Sequence, residues 1–226
     1  MDLLNILKIV AALITAAVTL IIGLRVLFLT KSDLLNRWFA LFFISSSSGF
    51  TIYAFYHLIL NNADIIIPLM IITQTFFNFN LISLTMTLFV LEKHTKIAMS
   101  MKYLGTMLIL FFVMSIGYVI FPPNLGMDDY AQGIVNTHTL PGLFIFVNTI
   151  RILLGIYVAY RYIVINRKIE GETKNRIKWF SLGVIIIILG LSINLAGGLL
   201  SSIIMEILAL IVIDIGAFLV LKGFMI

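Results

Sequence analysis

The sequence predicts an all-α, polytopic membrane protein built as a seven-helix bundle. Three observations carry that prediction. Hydrophobic residues make up 62% of the 226 and charged residues only 11%, against the roughly one quarter that a soluble domain needs to wet its surface. Apolar runs long enough to cross a bilayer, about 18 residues or more, recur along the whole chain. The polar segments between them are too short to build a core of their own, so residues 1–226 form a single transmembrane domain.

The first apolar run, "MDLLNILKIVAALITAAVTLIIGL", opens on an acid rather than a basic region. It is also too long for a signal peptide, so it is expected to be a retained first span over about 3–29. A ruler of about 20 apolar residues per crossing then places further spans at about 38–60, 65–91, 103–121, 140–162, 179–199 and 201–222. The last two are joined by "NLAGGLLSS", which predicts a tight hairpin. A single broken or re-entrant segment, giving six spans, is the alternative.

The charges give an orientation. Arg25, Lys31 and Arg37 lie between spans 1 and 2, and Lys93, Lys96 and Lys102 between spans 3 and 4. Arg161, Arg167, Lys168, Lys174, Arg176 and Lys178 lie between spans 5 and 6, and Lys222 closes span 7. Every Lys and Arg except Lys8 and Arg151 therefore falls on one side, opposite Asp2, Asp64, Asp128 and Asp129. Positive loops stay cytoplasmic, which places the N-terminus outside and the C-terminus inside a cell membrane. The formal net charge of +5 is thus topological and suits an anionic lipid surface. It predicts the lipid bilayer as a partner and no nucleic acid.

Arg151 interrupts the run "GLFIFVNTIRILLGIYVAY". Counting at about 1.5 Å per residue from the end of span 5, it lies about 16 Å deep, near the midplane. An unpaired charge there is costly. Asp214 in span 7 lies at about 20 Å and Glu206 at about 8 Å by the same count. An Arg151–Asp214 ion pair bridging spans 5 and 7 is therefore expected, with Glu206 in an outward-opening polar pocket. Gln74, Asn78 and Thr85 share one face of span 3, and Asn148, Arg151 and Gly155 one face of span 5. Asn194 lies near the level of Glu206.

Buried amides of this kind often only join helices, whereas ionisable groups at depth are more often functional. Arg151, Asp214 and Glu206 are open to both readings. Two acids against one base leave one negative charge in excess, so Glu206 is expected to take up a proton or hold a cation. Gly183, Gly190 and Gly197, seven apart, predict a helix-packing seam.

Other chemistries find no support. There are no cysteines, which excludes disulfides, thiolate catalysis and zinc–thiolate sites. Span 7 offers only Lys222, at its end, so no retinal Schiff base is expected, and no cofactor or metal. His57 and His138 come out near the outer surface with Asp64, Asp128 and Asp129 in the neighbouring loops, the only hint of a metal or ligand site there. No hydrolase or membrane-protease pattern is present, and no catalytic residue is expected.

The stretches "LRVLFLTKSDLLNRWFALFF", "NRKIEGETKNRIKWFSLG" and "GAFLVLKGFMI", with the seven-span layout, resemble the N-terminal seven-transmembrane sensor region of prokaryotic histidine kinases. That resemblance covers the whole chain in layout and transfers no binding residues. It implies a receptor that passes a signal from its last helix to a cytoplasmic output. Because the sequence continues only four residues past Lys222, the receptor is expected to signal through a protein partner. The competing expectation is a transport-related or accessory structural subunit of a larger membrane complex. Two-directional access to Arg151 would favour transport, and a pocket open only outward would favour sensing.

Overall fold

The computed structural model describes residues 1–29 and 33–225. Lys31 and residues 30–32 and 226 of the stretches quoted above lie outside the described residues. The chain is an all-α, multi-pass membrane bundle, with seven helices long and apolar enough to cross a bilayer among the described residues.

Helix α1 (Leu3–Leu29) begins where the Asp2 carboxylate accepts from the Leu4 amide, and α2 (Leu34–Leu58) where Asp33 accepts from Leu35. Helix α3 (Ala63–Lys93) is capped by Asn62 and ends at His94, whose φ of 63° breaks the helix. These polar caps satisfy amides that have no intrahelical partner. The fourth crossing is composite. A short α4 (Thr95–Ala98) and a π-helical turn (Met101–Gly105) lead into α5 (Thr106–Ile120), and Thr95–Ile120 together have the length and hydropathy of a span.

The 122–140 segment forms a compact cap. Strands β1 (Asn124–Leu125) and β2 (Thr137–His138) pair antiparallel around α6 (Met127–Ala131). Then come α7 (Pro141–Asn166), α8 (Glu172–Leu199) and α9 (Ile203–Met225). The start of α8 precedes the expected 179 because its first turns, "ETKNRIK", are helical but too polar for a hydropathy ruler.

The ambiguity over "NLAGGLLSS" resolves into two helices. Ser201, at φ 51°, ends α8, while the Ser202 amide donates to Gly197 O (2.9 Å) and the Ser201 amide to Gly198 O (3.4 Å). This is a Schellman-type stop, built on serine in the left-handed region rather than glycine.

Around the bundle, α1, α2, α3, α7, α8 and α9 form a closed ring, and α5 packs outside against α3 and α7. The tightest seam is α8–α9. A Cβ on Gly183 would stand 2.6 Å from Gly216 O, and one on Gly190 would stand 2.6 Å from Ile213 Cγ1. Gly197 faces Met205 of α9 in the same way. Small residues allow such backbone approach where lipid supplies no hydrophobic drive between helices.

At the end of the bundle that carries the C-terminus, aromatic rings fill the ring's interior. Phe39 lies edge-on to Phe180 (5.6 Å) and Phe224 (6.0 Å), and Tyr162 lies 4.8 Å from Phe180. Lys222 stacks on Trp179 at 3.8 Å just beyond.

Because Gly183 has no room for a side chain, Gly183→Val is expected to separate α8 from α9 at a cost of about 1–3 kcal/mol. Gly142→Val, with nothing within 4 Å of the new Cβ, serves as the control. Thermal unfolding in detergent should show a lower Tm for the first variant only.

Candidate functional site

Inside the ring lies a cavity of about 430 Å³ lined by α1, α2, α3, α7, α8, α9 and the 136–141 segment. That volume is in the range of sites that take small organic molecules, roughly 300–1,000 Å³. Its lining reaches the face that carries the N-terminus, at exposed residues such as His138, Leu199 and Ser201. In the other direction its lining extends to Phe42, Phe43, Leu84, Val184 and Val220, where Phe43 packs against Phe39 and Phe224 of the aromatic cluster.

Arg151, 4% exposed, projects from α7 into this space. Its Nε donates to Asn78 Oδ1 (3.0 Å), and its Nη2 donates to Asn78 Oδ1 (2.7 Å), Gln74 Oε1 (2.9 Å) and Gln74 O (3.2 Å). The Phe77 ring lies 6.0 Å from the guanidinium carbon. Asn78 is oriented in turn by donating its Nδ2 to Ser115 Oγ of α5 (3.2 Å). The polar stripe of α3 therefore supplies every hydrogen bond that Arg151 makes among the described residues, and all the acceptors are neutral.

The expected Arg151–Asp214 ion pair is not formed. Asp214 accepts a short hydrogen bond from Thr15 of α1. The reason is azimuthal. Asp214 faces α1 and Arg151 faces α3, so similar depth along their spans does not bring them together.

Glu206, expected to take up a proton or hold a cation, is paired within the protein. Its Oε2 lies 2.5 Å from Lys8 Nζ, and its Oε1 accepts from Tyr53 OH at 2.7 Å. Lys8 is fully enclosed and also donates to Val135 O (3.4 Å). The expectation that Glu206 is the less well paired acid is thus overturned, because Lys8 brings the buried charges to two of each sign. Lys8 lies about 8 Å along α1 from its start, the depth already reckoned for Glu206. Applied to α1, the ruler that placed Arg151 would have found this pair.

The same knot fastens the cap over the bundle. Asn5 donates to His57 O (2.7 Å) and accepts from the Val135 amide (3.3 Å), and the Asp2 amide donates to Gly133 O. His57, expected near the surface, is buried, with its ring against Tyr53 and Tyr56 at 4.1 and 4.5 Å. Its Nδ1 is 2.8 Å from Tyr53 O.

His138 lies in β2 at the cavity mouth. Asp129 accepts from Asn136 Nδ2 (2.8 Å), and Asp128 is exposed in α6. Among the described residues, no three His, Asp or Glu side chains converge as a metal site.

Of the remaining amides, Asn194 lines the cavity on α8. Asn148, 1% exposed, donates to Phe144 O, while its Oδ1 is buried and without a hydrogen-bond partner. Asn80 also lines the cavity with an unpartnered Oδ1, an acceptor that the sequence reading passed over. Its two-residue offset from Asn78 puts it on a different part of α3. No family model, curated protein or solved structure matches the chain.

Lys8→Met should strand the Glu206 carboxylate and lower stability by about 3 kcal/mol, the scale of a broken buried pair. The double variant Lys8→Met/Glu206→Gln should recover part of that loss. Unfolding midpoints for the two single variants and the double variant would measure the coupling.

Proposed function

We propose that the protein is a non-enzymatic, receptor-like membrane module whose intramembrane cavity takes up a small ligand and whose occupancy is conveyed to a protein partner. The observation that carries this reading is the cavity's form. Its lining reaches one face at His138, Leu199 and Ser201, and toward the other it ends on residues such as Phe43 that pack against the Phe39 and Phe224 rings. A site built this way binds and encloses. A transport path would need continuity, and beyond Phe42 and Phe43 the Phe39, Phe180 and Phe224 rings pack together inside the ring of helices.

Helix α9 is the natural conveyor. It contributes Glu206 at the mouth and Leu210, Ile213, Ala217 and Val220 to the cavity wall. It then ends with Lys222 stacked on Trp179 among the basic residues that follow α7 and open α8. Those residues offer a docking surface at the end to which α9 leads. With the positive-inside rule, that end is cytoplasmic and the cavity opens outward from a cell membrane. The likeness to the seven-helix sensor regions of histidine kinases supports the same direction of signalling.

The absence of native cysteines makes the test clean. Asn194→Cys should react with a membrane-impermeant maleimide only from the face that carries residue 2, and Asp2→Cys should report that face as external in intact cells. Labelling of Asn194→Cys from both sides would replace this reading with a transport-related one. A pull-down from native membranes should then recover a stoichiometric cytoplasmic signalling protein, and recovery of a large energy-converting or transport complex would instead make the chain an accessory subunit.

A further inference from the structure

The cavity's chemistry goes further than its shape and names a class of ligand. Arg151 is the one Lys or Arg lining the cavity among the described residues. Its Nε and Nη2 are committed to Gln74 and Asn78, and Nη1 makes no hydrogen bond among the described residues. A guanidinium stays charged under all physiological conditions. Here it is held by neutral oxygens, so its positive charge is positioned without being neutralised. Low-dielectric walls make such a charge a strong attractor for an anion, and a carboxylate oxygen can take a charge-assisted hydrogen bond from Nη1.

Three further features narrow the choice. Among the described residues no second Lys or Arg joins the lining, and the Glu206 carboxylate stands toward the mouth, so a monoanion is favoured over a phosphate dianion. The volume of about 430 Å³ and the aromatic and aliphatic walls call for an apolar body, because an inorganic ion would leave them unfilled. Asn148, one helical turn before Arg151 on the same face, holds a buried acceptor with no donor. A group left in that state is costly, and a hydroxyl or N–H beside the ligand's carboxylate would satisfy it.

From these we infer that the cavity binds a small organic monoanion, a carboxylate with an adjacent hydrogen-bond donor and an apolar, ring-sized body, seated with a carboxylate oxygen on Nη1 of Arg151 and its donor on Asn148. The inference rests on the receptor reading, since it assigns the ligand of that same cavity.

The test uses the full chain in lipid nanodiscs and three probes on one skeleton. These are 3-phenyllactate, the neutral 3-phenylpropane-1,2-diol and the cationic phenylalaninol, each titrated by ligand-observed NMR and by thermal shift. Binding of phenyllactate about tenfold or more tighter than the diol is expected from one charge-assisted hydrogen-bond pair. Phenylalaninol should bind least. Arg151→Gln should abolish the preference for phenyllactate over the diol, and Arg151→Lys should retain part of it.

If the glutamine variant does not fold, the three probes on the native chain still decide the matter. Equal binding of acid and diol, or preference for the amine, would overturn the anion assignment while leaving a ligand cavity in place. Failure of all three to bind would overturn the assignment together with the receptor reading on which it rests.

Discussion

The bundle depends on how it holds one charge at mid-depth. Hydrocarbon offers no hydrogen bonds, so a guanidinium placed there must find them within the protein. Arg151 finds them on a single neighbouring helix, in the side chains of Gln74 and Asn78 and the main chain of Gln74. This choice fixes α7 against α3. Nearer the C-terminal end, Arg161 of α7 donates to Glu92 of α3 at 2.7 Å, so two arginines ten residues apart secure the same helix pair. That α3–α7 contact closes the ring, and the ring makes a cavity possible.

The other buried charges follow from that commitment. With Arg151 engaged by α3, the carboxylates of α9 must be satisfied elsewhere, and both turn to α1. Glu206 meets Lys8, and Asp214 meets Thr15. Helices α1 and α9 lie far apart in sequence yet adjacent in space, and these two contacts, one near the mouth and one deeper, hold them together. Lys8 has a second task, since its bond to Val135 O fastens the 122–140 cap over the cavity rim. Residues that read separately as a stray lysine, an acid in span 7 and a polar loop form one network.

What the sequence discloses follows from which physical quantity each feature reports. Apolar length reports crossings, and so α1, α2, α3, α7 and α9 lie close to where a 20-residue ruler puts them. The ruler fails at the polar first turns of α8 and at the π-helical entry to α5, where helix and hydrocarbon do not coincide. Distance along a span estimates depth, and that estimate sets Arg151 near the level of both Asn78 and Asp214. It carries no information about azimuth, and azimuth decided which of the two Arg151 meets. Lys8 was legible by the same measure. It was passed over because it lies in the first turns of α1, where a lysine normally reaches the headgroups. The cap that encloses it is a tertiary feature of residues 122–140, with no hydropathy signature.

Among the described residues, polar bonds and close glycine packing mark two strongly tied groups of helices, with α2 packed against α1 of one and α3 of the other. One comprises α3 and α7, joined by arginines. The other comprises α8 and α9, pressed together at glycines, with α1 attached through Lys8–Glu206 and Thr15–Asp214. Between α7 and α8 the contacts are apolar ones such as Gly155 against Ile188 and Gly198 against Phe144. The cavity lies along this division, with Arg151 on one wall and Glu206, Leu210 and Ile213 on the other. An occupant held by Arg151 and packed on α9 would therefore touch both groups at once. Its binding energy would act between them, and by linkage any difference in its grip between two placements of α9 becomes a shift in their populations. The arrangement that makes a buried arginine tolerable thus also leaves its Nη1 group for a ligand that would touch both.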